Sequence, residues 1–194
     1  MSEFNSGKIV AIAASTGGIE ALEQVFSSFL GRIPPMLLVV HLPVGFTKLY
    51  AARLAASFDY VFKEAKKGDE VVAGQVLIAP AGKHMIVKSE RGKLVVDCYE
   101  GEKVQYVIPS ADVLFESVAN VVGAKSVGVI LTGMGADGAS GLKKMRECGA
   151  STIGQNRETC VVYGMPKVAY EIGAVEHVLP ISRVAEKIIS LARL

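Results

Sequence analysis

Three residues of this sequence have side chains that together make an acylating centre. Ser15 directly follows the almost wholly apolar run Lys8–Ala14, His41 follows Met36–Val40, and Asp137 lies in the loop Thr132–Gly138 that follows Val127–Leu131. A serine hydroxyl is a poor nucleophile at neutral pH; it needs an imidazole to take its proton and a carboxylate to hold that imidazole in one tautomer. Ser15 also precedes Thr16-Gly17-Gly18 and then a helical pattern. A helix head offers free N–H groups and a positive dipole end, which favour the oxyanion of a tetrahedral intermediate. Taken singly, each residue has a simpler use. Ser15 or Thr16 can cap a helix, His41 can be a hydrogen-bonded histidine at a strand end, and Asp137 can serve a turn or a cap. Three such residues at three strand ends point to acyl transfer.

The elements that must position them follow from periodicity. Runs buried on both faces of a parallel sheet show no alternation, which is the pattern of Lys8–Ala14, Met36–Val40 and Val127–Leu131. After the first run, Ile19, Leu22, Val25, Phe26, Phe29 and Leu30 recur at helical spacing; after the second, the exit loop His41–Gly45 leads to a helix Phe46–Phe58 with Leu49, Leu54 and Phe58 as its apolar face. Tyr60–Phe62 and Val76–Ala79 predict short strands. Met85–Val87 and Leu94–Cys98, around Glu90-Arg91-Gly92, predict an antiparallel hairpin. Ser110 predicts an N-cap for a helix presenting Val113, Leu114, Val118 and Val121. A helix Ala139–Cys148, a strand at Thr152-Ile153, a helix Lys167–Ile172, a strand Val175–Leu179 and a helix from Ser182 onward complete the alternation. This order predicts the α/β class: a three-layer α/β/α sandwich with a mainly parallel sheet and a small antiparallel hairpin. Residues 1–7 read as an irregular segment or linker remnant, and 8–194 as one domain. In open sheets of this kind functional groups gather beyond the C-terminal strand ends, where Ser15, His41 and Asp137 fall.

Composition narrows the function classes. Of 194 residues, 51% are hydrophobic and 21% charged, a globular balance rather than a disordered one. Lys plus Arg number 21 against 19 Asp plus Glu, and that near-balance, with scattered basic residues, gives no reason to expect a nucleic-acid partner. The three cysteines, Cys98, Cys148 and Cys160, are odd in number and lack metal-ligand spacing, which predicts reduced thiols, a cytoplasmic setting and neither metal nor cofactor. No apolar stretch approaches the ~20 residues of a membrane span, so no membrane insertion is expected.

The motifs around the three residues resemble a known family. Ala-Ala-Ser-Thr-Gly-Gly at 13 to 18, His-Leu-Pro-Val-Gly-Phe-Thr at 41 to 47, Leu-Thr-Gly-Met-Gly-Ala-Asp-Gly-Ala at 131 to 139 and Val-Val-Tyr-Gly-Met-Pro at 161 to 166 are similar to the catalytic domain of the CheB-type chemotaxis protein-glutamate methylesterases. Ala79-Pro80, His84, Pro109–Phe115 and Gly173–Pro180 fit the same order, so the resemblance spans nearly the whole chain. It implies Ser15 as nucleophile, His41 as general base and Asp137 as the carboxylate that orients His41, with Thr16 in support and the Met134 region helping to form the oxyanion hole. It implies hydrolysis of glutamyl methyl esters on the cytoplasmic helical region of methyl-accepting chemotaxis receptors, and deamidation of receptor glutamines by the same chemistry. Full-length relatives usually carry an N-terminal receiver domain that blocks the site; this chain starts at the catalytic part, so that control is expected to be absent from it. Gln105-Tyr106-Val107-Ile108 stands where the family often has basic residues, and Ala136 where it often has Asn.

Two other readings compete. One is a non-catalytic phosphate- or nucleotide-binding module built on the glycine-rich turns, although Gly133-x-Gly135-x-x-Gly138 completes no nucleotide signature. The other is a receptor scaffold of the same fold that has lost activity. His84 and His177 read as structural or surface histidines, and Cys160 has no histidine partner in sequence that would make it a nucleophile.

Overall fold

The computed structural model describes residues 8–192; the predicted irregular segment 1–7 lies outside the described residues. Strand β1 (Ile9–Ala14) leads into α1 (Gly18–Ser27), β2 (Met36–Val40), α2 (Phe46–Ser57), β3 (Val61–Glu64) and β4 (Gln75–Ile78). A hairpin of β5 (His84–Glu90) and β6 (Lys93–Tyr99) follows, and then α3 (Ala111–Val121), β7 (Ser126–Ile130), α4 (Ala139–Glu147) and β8 (Ser151–Gln155). The described chain closes with α5 (Met165–Glu171), β9 (His177–Leu179) and α6 (Ile181–Ala192). Short 3₁₀ turns at Gly123–Lys125 and Arg157–Thr159 had no counterpart in the sequence pattern.

Seven strands form one parallel sheet in the order β3-β4-β2-β1-β7-β8-β9. The unbroken apolar composition of β1 has a direct cause in this topology, because all of its residues are buried and alternate between two cores. Val10, Ile12 and Ala14 face the cluster supplied by α1, α2 and α6, whereas Ile9, Ala11 and Ala13 face the one supplied by α3, α4, α5 and the hairpin. The result is the three-layer α/β/α arrangement. From β1 the chain first winds toward β2 and later returns to β7 on the other side, so the switch point lies beside β1. Arg91 and Gly92, both at positive φ, make the tight turn of the hairpin. Met85, Val87 and Val96 pack the hairpin into the α3 side of the core, and the N–H of Val87 donates to Ser117 Oγ of α3 at 3.0 Å.

Several faces differ from the sequence pattern. Helix α2 buries Thr47, Tyr50, Ala51 and Leu54, a stripe at intervals of three and four, which leaves Leu49 66% exposed rather than in the core. Leu30 lies beyond the end of α1 at Ser27 and so leaves the helical face; it is 89% exposed. The strand predicted at Tyr60–Phe62 runs over Val61–Glu64, and that predicted at Val175–Leu179 shortens to His177–Leu179. Among the described residues no helix is long and apolar enough to cross a membrane.

Helices α3 and α4 approach closely because α4 carries Gly141 at their contact. A Cβ there would stand 2.8 Å from both the Asp112 carbonyl oxygen and Phe115 Cβ. The same approach lets the carboxylate of Asp112, at the head of α3, accept the N–H of Gly141 at the head of α4 at 2.7 Å. Gly141→Ala is therefore expected to destabilise the fold by about 1–3 kcal/mol through overpacking, read as a lowered denaturant midpoint. Asp112 is 5% exposed. Burial pushes its carboxyl up to about 6, against the pull of the Gly141 amide and with the push of nearby Asp137. An unfolded Asp titrates near ~3.9, so the folded value is the higher one. Protonated Asp112 thus favours the fold; that contribution is complete below about pH 4 and is lost as the pH rises through about 6. Asp112→Asn keeps an acceptor for Gly141 and removes the ionisation. Its melting temperature relative to the parent is expected to rise between about pH 5 and pH 8; a constant difference over that interval would contradict this account.

Candidate active site

Register carries Ser15 and His41 to adjacent positions. Strands β1 and β2 pair in parallel as far as Ala14 opposite Val40, so Ser15 and His41 occupy the next rung, tied by the His41 N–H to the Ala14 carbonyl at 3.2 Å. Ala11 and Ala13 of β1, and Leu37 and Val39 of β2, face the α3 side of the sheet. The same alternation carried one step further turns both functional side chains to that side. On the other flank the N–H of Ser15 donates to the Thr132 carbonyl at 3.0 Å. The nucleophile candidate is thus held between the exits of β2 and β7.

The turn after β1 is possible only with glycine. Gly17 has φ +76°, and a Cβ on it would stand 2.5 Å from Val161 Cβ. Gly133 presses against Ser15 from the opposite loop, where a Cβ would stand 2.8 Å from Ser15 Cβ and 2.3 Å from Met165 Sδ. Thr132, 1% exposed, knots the three loops together. Its Oγ1 donates to the Thr16 carbonyl at 3.0 Å and accepts the Val162 N–H at 3.0 Å, while its own N–H donates to Oε1 of buried Gln155 at 2.7 Å. Thr16 itself is exposed, and Met134, in the loop after β7, is 75% exposed. Among the described residues no hydrogen bond engages the backbone N–H of Thr16 or of Met134, so both donors are free for an anion.

Asp137 is the most constrained of the three. His41 Nε2 lies 2.9 Å from its Oδ2, Ser110 Oγ donates to its Oδ1 at 2.6 Å, and the N–H groups of Ala111 and Asp112 donate to it at 2.7 and 3.2 Å. The carboxylate is 3% exposed. Burial alone would push its pKa up; the hydrogen bonds from His41, Ser110 and the two amides outweigh it and hold the carboxyl below the usual carboxylate range. Asp137 is therefore ionised at neutral pH and only accepts, which fixes a proton on His41 Nε2, so that the neutral form of the ring carries its lone pair on Nδ1. The carboxylate also sits on the head of α3, whose dipole favours negative charge.

The structure thus joins His41 to Asp137 directly and sets Ser15 on the same rung at the exit of the neighbouring strand. Among the described residues no hydrogen bond links Ser15 Oγ to the imidazole. Contacts of this kind are commonly long before substrate binds. Ser110 caps α3 as its local pattern predicts, accepting the Val113 N–H, and it also grips Asp137, which that pattern does not record. His177 lies away from these contacts, beside Glu176. Burial pushes the Cys160 thiol up to about 11, so it is no thiolate at neutral pH.

The comparisons with known proteins point to one family. The family model described as CheB methylesterase matches residues 10–188. A protein of Syntrophomonas wolfei named protein-glutamate methylesterase/protein-glutamine glutaminase 2 is 50% identical over 190 residues, covering 98% of this chain and 56% of that protein. A protein-glutamate methylesterase/protein-glutamine glutaminase of Agrobacterium fabrum is 47% identical over 192 residues, covering 98% of this chain and 55% of its own length. The chain therefore spans about half the length of these relatives. The crystal structure of the Thermotoga maritima CheB methylesterase catalytic domain superposes with a TM-score of 0.93 at 40% identity, covering 96% of this chain and 100% of that one. These likenesses support the hydrolase reading over the phosphate-binding module, and with a family model matched along residues 10–188, the chain belongs to the CheB methylesterase family.

Proposed function

We propose that this chain hydrolyses glutamyl methyl esters on the cytoplasmic helical region of chemotaxis receptors, with Ser15, His41 and Asp137 as its catalytic residues. The observation that carries the reading is the 2.9 Å contact of buried, ionised Asp137 with His41, which shares its rung with Ser15. Because Asp137 takes the proton-bearing Nε2, the base toward Ser15 is Nδ1. Ser15 Oγ attacks the ester carbonyl as His41 Nδ1 accepts its proton; the imidazolium then gives that proton to departing methanol. Water attacks the resulting acyl-serine with His41 again as base, releasing glutamate and restoring Ser15. The free N–H groups of Thr16 and Met134 stabilise the oxyanion in both halves. The relatives' names pair methylesterase with glutaminase, and the same cycle with ammonia as leaving group deamidates a receptor glutamine.

Methanol release from a methylated receptor cytoplasmic fragment tests the assignment. Ser15→Ala and His41→Ala are expected to abolish release, and Asp137→Asn to lower kcat by about ten-thousandfold because the tautomer is no longer fixed. Release by Ser15→Ala at the parent rate would overturn it. Labelling of the parent but not of Ser15→Ala by a fluorophosphonate reports the activated serine independently of the receptor.

A further inference from the structure

Helix α3 begins with four N–H groups that have no partner within the helix. Here each has a side-chain acceptor: Val113 N–H goes to Ser110 Oγ, Ala111 and Asp112 N–H go to Asp137, and the Ser110 N–H goes to Nδ1 of His84 at 3.2 Å. His84 is the first residue of β5, 2% exposed, with its ring beside that of Tyr99. Its other nitrogen, Nε2, donates to the Glu102 carbonyl at 2.8 Å. A carbonyl only accepts and an amide N–H only donates, so the two neighbours fix one arrangement from both sides: a neutral ring with its proton on Nε2 and its lone pair on Nδ1. Any other arrangement sets donor against donor in a buried site.

We propose that His84 is a positioning residue for the catalytic carboxylate, acting through Ser110. An unbroken chain runs from the Glu102 carbonyl through the His84 ring to the Ser110 amide, and then through the Ser110 hydroxyl to Asp137 Oδ1, whose partner oxygen holds His41. Ser110 is held at both its amide, by His84 Nδ1, and its hydroxyl, by Asp137, so a displaced His84 ring displaces the residue that grips the carboxylate. The hairpin thereby sets where the carboxylate stands, reaching it only through Ser110.

This proposal rests on the hydrolase reading for its kinetic arm, and the two fail in distinguishable ways. His84→Asn and His84→Gln are a matched pair, since each keeps one of the two hydrogen bonds. Asn places an acceptor where Nδ1 stands, facing the Ser110 N–H; Gln places a donor where Nε2 stands, facing the Glu102 carbonyl. The Gln variant is expected to lose about 10- to 100-fold in kcat for methanol release with KM unchanged, while the Asn variant stays within about threefold of the parent. A role confined to holding the hairpin predicts equal losses, and equal losses would overturn the proposal, as would a Gln variant at the parent rate. The low-field proton resonance of His41 Nε2–H reads the Asp137 contact without any substrate. If the parent proves inert on receptors, the hydrolase reading fails, and this resonance alone decides: perturbed in the Gln variant and kept in the Asn variant supports positioning, and unchanged in both overturns it.

Discussion

Everything at this site depends on one carboxylate that has two tasks. Asp137 closes the head of α3, accepting the N–H groups of Ala111 and Asp112, and in the same geometry it holds His41 Nε2. A buried carboxylate with one partner would be raised in pKa and partly neutral; one with four donors and a helix dipole behind it stays charged. The helix thus supplies the electrostatics, and the charge in turn supplies the fixed tautomer on which the proposed proton transfer depends. The neighbouring helix repeats the device in reverse, since Asp112 of α3 accepts from Gly141 of α4. The two acids lie near each other, and they divide their roles by environment: Asp137, with its four donors, is held below the usual range and Asp112 is pushed up to about 6.

The rest of the site is rigid for a different reason. Strands β1, β2 and β7 are buried on both faces and paired residue by residue, so their exits cannot slide without exposing or clashing whole rows of side chains. Ser15 and His41 inherit that register. The Thr132 knot adds the loop before α5 to the same body, so the proposed nucleophile and the free N–H groups beside it are carried by a sheet rather than by a mobile loop.

The strands were legible because burial on both faces leaves an unbroken apolar run, and the three catalytic candidates were legible because each follows such a run. Family motifs then joined them. Helical faces were less legible: Leu49 is as apolar as Leu54, and only the stripe chosen by packing, with Thr47 and Tyr50 in it, shows that Leu49 points outward. Ser110 was readable as a cap from its local pattern. Its grip on a residue 27 positions later was not, because no local signal records which carboxylate a helix head will meet. His84 was indistinct for the same reason, since its partners lie 18 and 26 residues away.

The double use of Asp137 also bears on how such a site tolerates change. Catalytic groups are commonly a burden on the fold, and replacing them often makes an enzyme sturdier at the expense of its chemistry. As the proposed nucleophile, Ser15 fits that pattern, standing at a strand exit with a hydroxyl that makes no hydrogen bond among the described residues. Asp137 departs from it, because the substitution that silences the imidazole also strips a helix of its cap. On the proposed assignment, inheritance of an inert but sound fold is therefore open through position 15 and far narrower through position 137, where selection for folding alone preserves half of the proposed His41–Asp137 pair.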